Sequence, residues 1–279
     1  LISGELTGLV LFGADPLRDF PDTPAWEEAL TAADFVVSFS MHENASAAKA
    51  NVVFPLETHA EKDGTVTHPD GRLQRVRPSA SRPGDIRQNI QVLSELASKL
   101  GLDTGINSQP TAFAALTAAV PFYSSISDTD IGGRGIRWQD TQSGAQLPKP
   151  DRESETGSPD TQPARASADP VSDSPLALGT YRDLWAGPVT ELNPPLKFLT
   201  PQQRVEISTA DAERLGLKSG ERVLVSQGAA ALEAEVHVKE RVPAGVCFLA
   251  EGLTEGNANG LLNGGPVQVA IQKLSEVQA

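Results

Sequence analysis

Cysteine is nearly absent. The chain of 279 residues has one, Cys247, and a single thiolate cannot hold an iron–sulfur cluster or a structural zinc site, each of which draws several. An intramolecular disulfide is excluded with it. An excess of basic charge is also lacking: 23 Lys and Arg face 36 Asp and Glu, for a net charge of -13. Nucleic-acid binders need a basic stripe that displaces counterions, so nucleic acid is not the expected partner. Long apolar runs are missing too. None approaches the eighteen or so residues of a membrane span, and no charged-then-apolar leader opens the chain. Leu1 stands where a Met would, directly before an apolar run, and the sequence reads as a fragment whose upstream part is elsewhere.

What is present falls into three textures. Leu6 to Phe12 (LTGLVLF), Phe35 to Phe39 (FVVSF) and Asn51 to Phe54 (NVVF) are compact and rich in β-branched or aromatic residues, as buried parallel strands are. Between the first two, Thr23 is placed to cap a helix with Pro24 at its first position. ENASAAKA supplies a second, short helix. This alternation predicts right-handed crossovers and a parallel sheet. A longer helix is expected from a cap at Asp85, with Ile86, Ile90, Leu93, Leu96, Ala97 and Leu100 on one face and Gly101 as its stop. An alanine-rich helix from about Thr111 to Val120 follows.

From Thr141 to Ser174 large apolar residues nearly vanish, which predicts a disordered linker or insertion. After Pro195, short strands punctuated by glycine appear. Ser208 is placed to cap TADAERLGL, and Leu232, Ala234, Val236 and Val238 alternate with Glu233, Glu235, His237 and Lys239. A period of two with one wet face predicts an antiparallel barrel or sandwich. The expected division is an α/β domain over residues 1–128, a linker or insertion over 129–185, and a β-barrel over 186–279.

The segments VLFGADPL and ADFVVSFSMHENASAAKANVVFPLETHAEKDGTVTHPDGRLQRVRP resemble the late part of the molybdopterin oxidoreductase catalytic fold. The family's Gly-x-Asn-Pro turn corresponds to Gly13 to Pro16, its next strand to Ala50 to Pro55, its Glu-Lys-x-Gly-Thr loop to Glu61 to Thr65, and its Asn-x-Glu-Gly-Arg turn to His68 to Arg72. The C-terminal pattern SxxDAxxLGLxxGxxV, with PAGVCFL and PVQV, resembles that family's small barrel, of double-psi type. The wording of the loop is similar to the G-type iron–sulfur subunit of actinobacterial NADH-quinone oxidoreductases, respiratory complex I.

That resemblance implies a truncated Rossmann-like α/β part followed by the barrel. It implies a scaffold without catalytic residues, metal or cofactor of its own, with 4Fe-4S and 2Fe-2S clusters in the missing N-terminal part. The partners would be other subunits of the complex I peripheral arm, and the place cytoplasmic, peripheral to the inner face of the plasma membrane. The alternative is a molybdenum enzyme of the formate dehydrogenase or nitrate reductase type, in which Gly13, Asp15, Lys62, Gly64 and Arg72 are the pterin-site candidates. Asp15 stands where the family carries Asn, adding negative charge where a pyrophosphate would approach, which favours the cofactor-free reading. A stand-alone binding module is the third reading.

Three clusters invite chemistry. The glycines of GADP, Asp63-Gly64 and Asp70-Gly71 read either as an anion cradle or as tight turns. His59 and His68, among Glu57, Glu61 and Asp63, match no zinc spacing and read as solvated histidines. Arg72, Arg75, Arg77 and Arg82 make a basic stretch that suits a phosphate, a neighbouring subunit, or surface ion pairs. Cys247, inside an apolar strand, reads as a small hydrophobe.

Overall fold

The computed structural model describes residues 1–146 and 175–274. Most of the low-apolar stretch Thr141 to Ser174 therefore lies outside the described residues. The chain divides into two compact units, one formed by Leu1–Phe54 with Gln162–Ala279, the other by Pro55–Thr161.

The first stretch runs β1 (Gly8–Phe12), α1 (Pro16–Asp19), α2 (Thr23–Ala32), β2 (Phe35–Ser40), α3 (Ala45–Ala48) and β3 (Val52–Pro55). The strands form a sheet in that order, and β1 pairs parallel with β2 from Gly8 opposite Phe35 to Phe12 opposite Phe39. On one face Leu11, Leu17, Leu30 and Val36 are buried together, with Leu9 and Trp26 packed against them. The other face is wetter: Val10, Phe12 and Phe35 are each about half exposed or more. Asn51 fixes the neighbouring strand, since its side-chain oxygen accepts from Val36 N at 2.7 Å while its own N–H donates to Val36 O at 2.8 Å. The cap of α2 is Asp22 rather than Thr23. Asp22 takes a left-handed conformation, φ 63°, and accepts from Ala25 N, so Thr23 becomes the first helical residue.

The second unit holds β4 (Gly64–Thr67), β5 (Arg72–Val76), α4 (Asn89–Lys99), α5 (Gln109–Ala119), α6 (Asp128–Ile131) and β6 (Ile136–Arg137). The three strands pair antiparallel in the order β4-β5-β6. Leu73, Phe113, Ile126 and Ile131 form its core, with Trp138 and Tyr123 against them. The helix expected from Asp85 begins four residues later, and Asp85 does not cap it. Instead the buried Glu57 carboxylate accepts from Asn89 N at 2.8 Å, the first free N–H of α4, and holds Arg82 Nε at 2.5 Å. The expected apolar face of α4 has no fully buried residue, and Leu93 and Leu100 are exposed.

The third stretch comprises β7 (Leu176–Arg182), α7 (Pro188–Glu191), β8 (Arg204–Ile207), α8 (Thr209–Leu215), β9 (Arg222–Gln227), β10 (Ala230–Val238), β11 (Val246–Glu251) and β12 (Gln268–Lys273). Its six strands close into a barrel in the order β10-β8-β11-β7-β12-β9. Two of its ladders, β10 with β8 and β11 with β7, are parallel, so the pairing is that of a double-psi barrel rather than the wholly antiparallel one expected from the alternation. Alternate residues point inward and are sealed: Val205, Val225, Val236, Cys247 and Leu249 have no solvent exposure. Ser208 caps α8 through Asp211 N, as its spacing predicts. Asp211, itself buried, also accepts from Gly245 N at 2.8 Å and so ties the helix to the turn before β11.

Candidate functional site

In open α/β sheets ligands gather beyond the carboxyl ends of parallel strands, because loops diverge there. In the first unit a cavity of about 430 Å³ lies at that position. The loop after β1 supplies Asp15, and helix α1 that follows it Leu17 and Arg18; the loop after β2 supplies His42, Glu43 and Asn44; the C-terminal stretch supplies Glu191, Thr254 and Asn257. Gly13 makes the first loop possible. Its φ of 64° turns the chain out of β1, while its N–H donates to Phe39 O at 2.9 Å and is thereby engaged.

Arg18 is the cation of this cavity, and it is already paired. Its two terminal nitrogens donate to the two carboxylate oxygens of Glu191 at 2.8 and 2.7 Å, and both side chains are largely buried. Thr254 donates to the same carboxylate at 2.5 Å. Asn257 and Asn259 both donate to Arg18 O at 2.8 Å, which fixes the backbone that carries the guanidinium. Burial raises the Glu191 carboxyl, but the bonds from Arg18 and Thr254 outweigh it and hold the group below the usual carboxylate range.

Asp15 behaves in the opposite sense. It is buried, its Oδ1 accepts from Ser46 Oγ at 2.5 Å, and Ser46 Oγ accepts in turn from Leu17 N. Burial pushes its carboxyl above the ordinary value, and the Ser46 bond only partly offsets this. Three carboxyl groups, those of Asp15, Glu43 and Glu191, therefore line the cavity against one arginine. A second cavity, of about 1000 Å³ on the barrel flank, presents Glu233, Glu235 and Glu255 against Lys197 and Arg222.

Of the sequence candidates, Gly13 and Asp15 belong to this cavity's loop, whereas Lys62, Gly64 and Arg72 belong to the second unit. Gly71 has a positive φ of 85° and its N–H closes a turn onto His68 O, so the second Asp-Gly step is a tight turn; Gly64 has no positive φ and simply opens β4. His68 pairs with Asp70 at 3.0 Å, and no group of three metal-ligating side chains occurs among the described residues. Arg75 and Arg82 form internal ion pairs, to Asp128 and Glu57. Sequence reasoning does not reach Arg18, Glu191, Thr254, Asn257 or Asn259. Their partners lie between 63 and 241 residues away, beyond any sequence window.

Residues 1–99 match the family described as molybdopterin oxidoreductase, and residues 176–273 match the molydopterin dinucleotide binding domain. The NADPH-Fe(3+) oxidoreductase subunit alpha of Geobacter sulfurreducens is 30% identical over 97% of this chain and 30% of its own length. F420-dependent formate dehydrogenase 2 subunit alpha of Methanococcus maripaludis is 30% identical over 91% of this chain and 40% of its own length. A G-type NADH-quinone oxidoreductase subunit of Rhizobium meliloti is 28% identical over 98% of this chain and 31% of its own length. The chain thus spans between 30% and 40% of the length of these relatives. Among solved structures, acetylene hydratase from Pelobacter acetylenicus shares the fold, with a TM-score of 0.63 at 14% identity over 95% of this chain and 44% of that one.

Proposed function

The chain carries domains of the molybdopterin oxidoreductase family, and from that premise we propose that it is the C-terminal scaffold of the G-type subunit of an NADH-quinone oxidoreductase, in which the family's pterin dinucleotide is no longer bound. The observation that carries this reading is the Arg18–Glu191 pair. A dinucleotide pyrophosphate needs free N–H groups or cations. At the strand ends, the Gly13 N–H is taken by Phe39 O, the Arg18 guanidinium is taken bidentately by Glu191, and Asp15 and Glu43 add acidic groups. This donor set does not fit a dianion.

On this reading the segment has no catalytic residue. Electrons would pass through iron–sulfur clusters held elsewhere in the subunit, since the one thiol here is sealed in the barrel. Other subunits of the peripheral arm would be its partners, at the inner face of the plasma membrane. No helix among the described residues is long and apolar enough to cross a membrane.

A second reading has its own support. Two relatives at 30% identity are alpha subunits of an Fe(3+) oxidoreductase and a formate dehydrogenase, and under a molybdenum-dependent parent the pterin-site candidates are Gly13 and Asp15 of the first unit and Lys62, Gly64 and Arg72 of the second. The separating experiment is elemental analysis and pterin fluorescence on the purified full-length parent. We expect iron, no molybdenum or tungsten in stoichiometric amount, and no fluorescent pterin on acid extraction. A bound pterin with one such metal per chain would establish the second reading.

A further inference from the structure

Most arginines among the described residues are neutralised within this acidic chain. Arg18, Arg75, Arg82, Arg87, Arg182, Arg214 and Arg222 each have a carboxylate oxygen within 3.0 Å. One face of the sheet β4-β5-β6 gathers arginines that are not so neutralised. Arg72 on β5 stands directly opposite Arg137 on β6, and side chains paired in this way share one face of the sheet. Arg72 also reaches the Arg134 carbonyl at 3.5 Å, so the residue that carries a third guanidinium adjoins the first two. Against these three charges there is one carboxylate, Asp70, 3.9 Å from Arg72 Nε; among the described residues none lies within 4 Å of Arg134 or Arg137.

Like charges directly opposite across a ladder oppose pairing. The local structure nevertheless holds them in place. Asp70 O accepts from both Arg137 Nε at 3.3 Å and Gln139 Nε2 at 3.0 Å, and Trp138 N donates to Gly71 O. The Arg134 turn closes at Gly135, whose φ is +71° and where a Cβ would lie 2.5 Å from Leu73 O. Arg72 and Arg137 are thus anchored through contacts to backbone carbonyls. Beside them on the same face, Val66 is exposed opposite Gln74.

We propose that this face, built on Arg72, Arg134 and Arg137 with Val66 beside them, docks a carboxylate-rich segment of a partner protein. Planar guanidinium forks match carboxylates bidentately, and an apolar neighbour suits a peptide. The net charge of -13 argues against an extended polyanion. A membrane or a nucleic acid would confront the acidic remainder of the chain, whereas screening over about 8 Å lets a short acidic segment respond chiefly to the patch itself. This inference rests on the cofactor-free reading, because the alternative would engage Arg72 at the pterin; the metal and pterin analysis of the full-length parent tests that reading separately from the peptide titration.

The test is fluorescence anisotropy of a labelled oligoglutamate peptide titrated with the full chain at low and at physiological salt. We expect saturable, salt-weakened binding that falls about tenfold or more in an Arg72→Gln, Arg134→Gln, Arg137→Gln variant and is unchanged in an Arg204→Gln, Arg241→Gln control. The single change Arg72→Gln should weaken binding without lowering the melting temperature, because it removes a repulsion; this readout stands even if the triple variant folds poorly. Absence of peptide binding at low salt, or equal binding by the Arg72→Gln variant, overturns the proposal. Tighter binding of phosphatidylserine vesicles or duplex DNA than of the peptide, lost in the same variant, assigns the face to those ligands instead and also overturns it.

Discussion

Glu191 occupies, with its two oxygens, the positions an anionic ligand would need in order to be held by Arg18. Removing one partner of a largely buried pair strands the other, so Glu191→Ala is expected to cost about 3 kcal/mol in urea unfolding. The contribution depends on pH with a definite sign. The Glu191 carboxyl is held below its ordinary 4.5, so its stabilisation is complete above that value and is lost as pH falls through the lower folded value. Asp15 runs the other way: its carboxyl lies above the ordinary 3.8, and the cost of ionising it is absent below 3.8 and grows as pH rises from there through the folded value. Asp15→Asn, which keeps an oxygen for Ser46, should therefore raise the melting temperature at neutral pH, with the gain vanishing in acid. A lower melting temperature at neutral pH would contradict this. Cys247 is equally specific. Burial, with Asp211 adding repulsion, pushes its thiol up to about 12, so it should react with a thiol reagent only at the rate of barrel unfolding. Asp15 is legible in the sequence because its loop is contiguous, but Glu191 stands 173 residues from Arg18 and no local pattern announces it.

Elements differ in how much of them the sequence displays. Strands β9, β10, β11 and β12 are readable because their inward residues alternate and each is bounded by turn residues. Strand β7 is not, since LALGTYR interrupts its alternation at Gly179, where a Cβ would strike the Phe248 ring at 2.4 Å. Helix α4 is visible in its apolar spacing, yet its start is not, because the acid that caps it is Glu57, thirty-two residues upstream, rather than the adjacent Asp85. The hairpins of the second unit show how glycines that look alike in sequence differ in consequence. Gly135→Ala combines a left-handed φ with a backbone clash and should cost about 1–3 kcal/mol in denaturant unfolding. Gly64 has an ordinary φ and open space around it, so Gly64→Ala should stay within about 0.5 kcal/mol. Equal losses in both would remove the distinction.

At the scale of the molecule, the first unit is assembled from two stretches far apart in the chain. Arg18 with Glu191, Arg182 with Asp19, and Asp22 N with Asn259 O bind residues before Phe54 to residues after Leu176. Hydrogen exchange should therefore show the amides of Asp22 and Thr190 opening with similar free energies, and Glu191→Ala should lower both together; a loss confined to one stretch would mean that the two open separately. The same discontinuity governs the nascent protein. Residues up to Phe54 leave the ribosome while the chain that reaches Leu176 is still to be made, an interval of roughly 6–24 s at about 5–20 residues per second. For that time Arg18 has no counterion and Asp22 N lacks the Asn259 carbonyl. The growing chain thus passes through a stage in which the Arg18 segment stands without its partners, and slowing translation anywhere between the two stretches would prolong it.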